Sequence, residues 1–221
     1  MIASELINHM VPPLKLSDDA DKAVVWMEEL RCNFLPVVDK RKFLGLISED
    51  IILQGENIEK KIREFELVGV RCFVNENTHF YDILKKASDF GVQSVAVIDD
   101  GGEYAGVITV QDCINVFSQS AAVQTPGGII VLSMEHRDYS LAEISRLVEE
   151  NGVKIMSSNV RIDPIDAHKI KLTLKINTLE MNRVVATLER FGYKIISRFQ
   201  DSTTDDNEKD RLDMFFRYLE M

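Results

Sequence analysis

The chain has 221 residues, 45% of them hydrophobic and 28% charged, and its 36 acidic against 26 basic side chains give a formal net charge of −10. This is the composition of a globular protein, which excludes a disordered chain, and no apolar run approaches the ~20 residues that span a bilayer. The acidity argues against nucleic acid as a partner, because a phosphate backbone is held by basic surface. The start, MIASELINHM, shows no basic stretch followed by an apolar one. No leader and no membrane segment are therefore expected, and the expected location is cytoplasmic. Cys32, Cys72 and Cys113 lie far apart without a CxxC pair, and the four histidines form no HxH or HExxH pattern. Free thiols and no metal site are expected. Residues 1–120 hold 12 basic and 20 acidic side chains, residues 121–200 hold 11 and 9, and residues 201–221 hold 3 and 7. The shift near residue 120 marks a domain boundary.

In chain order, Ser17 is placed to cap a helix whose first turn carries Asp18, Asp19 and Asp21, favourable at the positive end of the helix dipole. Ala20, Ala23, Val24, Met27 and Leu30 continue it at helical spacing. A short apolar strand follows at residues 34–38. Residues 39–42 turn the chain, residues 43–47 return it, and a second helix starts after Ser48. Lys40, Arg41 and Lys42 form a basic run at the hairpin tip, where a solvated charge run is the ordinary reading. The pattern then recurs about 60 residues later. LPVVD at residues 35–39 matches VAVID at 95–99, Gly45 matches Gly106, and Asp50 matches Asp112. Thr78 and Asp82 open the second helix, Gly91 ends it, residues 94–98 form a strand, and residues 99–102 (DDGG) turn it. Each copy thus reads strand, helix, strand, strand, helix, over residues 1–60 and 61–120.

Residues 106–112, GVITVQD, present Thr109 and Asp112 three apart at a helix start, so both share one helical face. A carboxylate there can accept two charge-assisted hydrogen bonds from a ribose diol. The same [ST]-x-x-[DE] spacing is also a capping box that any helix can carry. In the first copy Ser48 and Asp50 are only two apart and diverge by roughly 200° around a helix, so that site is expected to be weak or empty. The repeated helix, the P-V-V-D strand, the charged hairpin, the G-h-h-[ST] element and its Asp resemble a tandem pair of CBS domains over residues 1–120. The resemblance implies an adenosine-containing ligand (AMP, ADP, ATP or S-adenosylmethionine) held between the repeats, and disc-like dimers. It implies that Thr109 and Asp112 hold the ribose while Ser94, Val95, Ala96 and Val97 border the base. Arg71 and His79, flanking the second copy's first strand, stand as phosphate contacts.

Residues 121–128, AAVQTPGG, read as a linker. Beyond it come a strand at 129–134, a helix at 140–151 ended by Gly152, strands at 153–163 and 168–177, a helix at 180–191 ended by Gly192, and a strand at 193–200. Ile170, Leu172, Leu174 and Ile176 alternate with Lys169, Lys171, Thr173 and Lys175, as in a strand with one buried face. The order βαββαβ is a ferredoxin-like split βαβ, so the expected fold class is mixed α/β and α+β. Residues 129–200 resemble an ACT domain, a small regulatory module that pairs sheet edges and binds amino acids in the loop before its first helix. In that loop Tyr139 and Ser140 stand where the pattern has Pro and Gly, so a dimerisation role is expected before amino-acid binding. Residues 201–221 combine an acidic linker with Leu212, Phe215, Phe216 and Leu219 at helical spacing. Two CBS repeats followed by an ACT-like domain resemble acetoin-utilisation regulators.

No nucleophile elbow, reactive Cys motif or metal cluster marks an enzyme. The expected function is therefore a non-catalytic sensor of an adenine nucleotide, without a cofactor, a homodimer or larger even oligomer acting on a separate protein target. The alternative is a ligand-free dimerisation and interaction scaffold.

Overall fold

The first helix, α1 (Ala20–Leu30), buries Ala20, Ala23 and Met27 on one face. In this computed structural model, which describes residues 1–54 and 60–200, α1 begins after Asp19 and not at Ser17. The reason is tertiary. Ala20 N, the first free N–H of the helix, donates to Lys60 O, and Ile62 N donates to Asp18 O, so the returning chain fixes the entry to α1 at Asp19 and leaves Ser17 exposed before it. The expected features at 201–221 lie outside the described residues.

After α1 come β1 (Phe34–Asp39), β2 (Lys42–Ser48) and α2 (Glu49–Gln54). The expected opening strand of this copy shrinks to one parallel bridge, Leu14 with Val37, in which Leu14 N donates to Pro36 O and Val38 N donates to Leu14 O, both at 2.8 Å. Pro12 and Pro13 precede it and have no N–H to extend a ladder. The second copy has the full set: β3 (Phe73–Asn75), α3 (Phe80–Phe90), β4 (Ser94–Ile98), β5 (Tyr104–Thr109) and α4 (Val110–Ser118). β3 runs parallel to β4, and β5 is antiparallel to it. The N-cap of α3 is His79, not Thr78; its Nδ1 accepts from Tyr81 N at 3.3 Å.

The two copies match in their irregularities. The β1–β2 register shifts between Val37 and Val38, and the β4–β5 register between Val97 and Ile98, 60 residues on. They also exchange core residues. Leu46 of the first copy packs in the core of the second together with Ala3 and Leu6, while Val107 and Ile62 of the second pack in that of the first. Ser94 Oγ donates to Phe34 O at 3.2 Å across the two copies. The repeats therefore form one unit, Met1–Ser118.

A second compact unit begins at Gln119. The stretch expected as a linker holds a single helical turn, α5 (Ala121–Gln124), behind Ser120 at the N-cap. Then follow β6 (Ile129–Glu135), α6 (Leu141–Glu149), β7 (Ile155–Ile162), β8 (Lys169–Ile176), α7 (Asn182–Arg190) and β9 (Lys194–Phe199). Strand order β7-β8-β6-β9, antiparallel throughout, is the ferredoxin-like arrangement. Ile130 and Leu132 of β6, the four apolar residues of β8, and Leu147, Val184 and Leu188 of the helices form its core. Lys175, on the face opposite that core, is nevertheless buried, with Nζ donating to Gly127 O at 2.9 Å. A Cβ on Gly127 would lie 1.9 Å from Ile176 O, so only glycine lets the strand approach there. The whole is a mixed α/β protein. Among the described residues no helix is long and apolar enough to cross a membrane, and no group of three or more His, Cys, Asp or Glu could hold a metal ion.

Candidate functional site

Thr109 ends β5 and Asp112 lies in the first turn of α4. Asp112 Oδ2 accepts from Thr109 N at 2.8 Å and from Thr109 Oγ1 at 2.6 Å, while Asp112 N donates to Thr109 Oγ1 at 3.1 Å. This is a reciprocal cap, and it holds the carboxylate in a fixed orientation. Asn8 completes the arrangement from 104 residues away: its Nδ2 donates to Asp112 Oδ1 at 3.0 Å and to Oδ2 at 3.2 Å. Asn8 is placed by its own N–H, which donates to Val107 O at 2.8 Å. Gly106 makes that crossing feasible, because a Cβ there would lie 2.4 Å from Ile7 Cγ2. Oδ2 is thus saturated by three donors, and Oδ1, with one, keeps acceptor capacity.

Asp112 and Asn8 line a cleft of about 720 Å³ together with Val11, Arg31, Cys32 and Gln93. That volume lies within the range of small-ligand sites. Its wall is made by the end of α1 and the start of α4, so both repeats contribute. Burial pushes the Cys32 thiol pKa up and leaves it a poor nucleophile. The chemistry offered is recognition: a fixed anionic acceptor in Asp112, a second carboxylate in Glu29, amide groups, an apolar flank and one guanidinium.

The other sequence-derived candidates are placed differently. Ser94 is fully buried and its hydroxyl is committed to Phe34 O. Val95, Ala96 and Val97 are at most 1% exposed, and Gln93, just before them, lines the cleft in their stead. His79 caps α3, with its ring tilted against Phe80 and edge-on to Tyr81. Arg71 lies in an exposed turn after Val68, whose N–H and carbonyl both pair with Leu46 of β2. That segment crosses the first copy as residues 7–8 cross the second, and Arg71 does not line the Thr109–Asp112 cleft.

Ser48 and Thr109 are equivalent last residues of β2 and β5, and Ser48 Oγ accepts from Ile51 N at 3.2 Å. The residue in register with Asp112 is therefore Ile51, and the alignment of Asp50 with Asp112 is off by one. Asp50 is exposed on α2. The first copy has the aliphatic side chain of Ile51 where the second has its carboxylate.

Two cleft residues escape a reading of local motifs. Arg31 occupies the left-handed position after α1, with φ 52°, where the second copy uses Gly91 at φ 62°. Overlaying the copies would have exposed it: an arginine stands where glycine is the easy choice. Asn8 leaves no local signal, since its role depends on the chain folding back to Val107.

Comparison with known proteins places residues 67–119 in the family model of the CBS domain. The protein MJ1232 of Methanocaldococcus jannaschii is 33% identical over 84 residues, which cover 38% of this chain and 28% of that protein. The chain thus spans little more than a quarter of the length of that relative. Among solved structures, a CBS domain pair/ACT domain protein from Thermotoga maritima is 15% identical with a TM-score of 0.48, covering 53% of this chain and 96% of that one. CBSX2 in complex with AMP is 16% identical with a TM-score of 0.46, over 53% and 96%.

Proposed function

We propose that this chain, whose residues 67–119 form a CBS domain, is a non-catalytic regulatory protein that binds an adenosine-containing ligand in the Thr109–Asp112 cleft. The observation that carries the reading is the oriented Asp112 carboxylate facing the cleft with acceptor capacity on Oδ1, and Arg31 on the same cleft. In this reading Asp112 accepts from a ribose hydroxyl, Arg31 meets phosphate in place of Arg71 or His79, and Val11 lies against the base. A ligand that takes both carboxylate oxygens displaces the Asn8 amide. Ile51 leaves the first copy without the equivalent fork, so one ligand binds per chain. The ferredoxin-like unit serves as the ACT-like dimerisation module of a cytoplasmic homodimer, and the regulated target is a separate protein.

The test is thermal denaturation with AMP, ADP, ATP and S-adenosylmethionine. A ligand at a hundred times its Kd stabilises the fold by about 2.7 kcal/mol, and Asp112→Ala should abolish that gain. Because Asp112 also caps α4, Arg31→Gly is the cleaner companion. It relieves a left-handed arginine and should raise the unliganded midpoint while weakening phosphorylated ligands at least tenfold. No shift with any of the four ligands would favour the ligand-free scaffold.

A further inference from the structure

A second cleft lies at the other end of β1. The Thr109–Asp112 cleft touches the chain just before β1 begins, at Arg31 and Cys32, whereas this one, of about 520 Å³, is lined by residues 38–41 where β1 ends. The two share no lining residue. Its other walls are the segment from Pro13 to Ser17 and Arg63. Arg63 is held there through its backbone, Arg63 N donating to Leu16 O at 3.1 Å.

The charge on this cleft runs against that of the molecule. In a chain of net charge −10, four cations, Lys15, Lys40, Arg41 and Arg63, line it against one acid, Asp39. The neighbouring acids are already engaged: Asp18 with Lys22 at 3.2 Å, Asp19 with Lys61, and Glu103 with Arg41 at 2.7 Å. Among the described residues Lys40 and Arg63 enter no ion pair, and Lys15 makes none within ion-pair distance although the Asp18 carboxylate attracts it as well as Lys22. The second copy shows that the fold does not demand this. Its equivalent hairpin carries Asp99 and Asp100 with two glycines, whereas the first puts Lys40 and Arg41 at φ 46° and 68°. Unpaired like charges around a concavity raise the local concentration of a counter-charged ligand, and low-dielectric walls strengthen the effect.

We propose that this cleft binds a small polyphosphorylated anion, with Lys15, Lys40 and Arg63 as its charge contacts, independently of the Asp112 cleft. A concavity of this volume with convergent cations suits a compact ligand in preference to an extended acidic chain. The probe is inorganic tripolyphosphate, which has no ribose for Asp112, titrated calorimetrically into the full chain. Saturable binding is expected in the unaltered protein and unchanged in Asp112→Ala. It should be at least tenfold weaker in the Lys40→Glu/Arg63→Glu double variant, and weaker between 50 and 200 mM salt. The double variant Lys40→Gln/Arg63→Gln should move in the same direction, and an unchanged Trp26 fluorescence transition would show that both variants fold. Absence of saturable binding, equal affinity in the charge-reversed protein, or loss in Asp112→Ala would overturn the proposal. A polyglutamate peptide binding more tightly than tripolyphosphate would overturn the choice of a small anion.

Discussion

Among the described residues the Tyr104 hydroxyl is buried without a hydrogen-bond partner, and burial holds its phenol well above the usual tyrosine range. An unpaired buried hydroxyl costs about 1–3 kcal/mol, whereas the ring without it keeps its packing. Tyr104→Phe should therefore stabilise the first unit by about 1 kcal/mol, measured as a rise in the urea midpoint of Trp26 fluorescence. A fall would mean that the hydroxyl has a water partner. The same scale shows how much of the candidate site can be read from residues alone. Thr109 and Asp112 were legible because a cap is local: three residues of spacing set the geometry that the hydrogen bonds realise. Arg31 was legible only through the repeat. Asn8 was not legible, because sequence proximity says nothing about a residue delivered by a chain crossing. Ser94, Val95, Ala96 and Val97 form a contiguous run with buried side chains, so Gln93, just before their strand, is the side chain that lines the cleft.

Elements followed the hydrophobic period wherever one face is buried, and departed from it where a neighbour supplied the missing bonds. Residues 170–176 alternate as read, yet Lys175 is buried because Gly127 O accepts its ammonium. The opening strand of the first copy contracts to one bridge beside Pro12 and Pro13, and the supposed linker winds into a turn of helix. The β1–β2 hairpin is the sharpest case. Asp39 pairs with Lys42 across a two-residue turn whose residues both have positive φ, a turn that ordinarily selects Asn-Gly. A left-handed non-glycine residue costs about 1–2 kcal/mol. The Arg41–Glu103 pair, with side chains 74% and 40% exposed, returns at most about 1 kcal/mol. Strain wins on these magnitudes. Lys40→Asn with Arg41→Gly should stabilise the first unit by roughly 1–2 kcal/mol in urea unfolding, while weakening tripolyphosphate binding. A protein stabilised at the expense of its anion site is what a functional, strained turn implies.

At the scale of the whole molecule, the two units keep separate cores, and the probes are unevenly shared between them. Trp26 and all three cysteines belong to Met1–Ser118, and each cysteine is buried. Because the repeats exchange Leu46 and Val107, they should unfold together. Tryptophan fluorescence and thiol labelling should then report one transition, and the second unit another, seen in far-UV circular dichroism. Nucleotide should raise the first and leave the second in place. Alkaline titration separates them further. Burial pushes the Cys72 thiol from 9.0 up to about 11, so the proton is held more tightly in the folded state. Its stabilising contribution is complete below pH 9 and is lost as pH rises towards 11. In the second unit, burial and a hydrogen bond to Glu143 push Tyr193 from 10.0 up to about 12, so its loss runs from pH 10 to 12. Between pH 9 and 10 the Trp26 transition should fall while the second stays. Simultaneous movement of both transitions, in thermal scans stepped across that interval, would show that the units unfold as one and that ligand binding in the first is felt directly by the second.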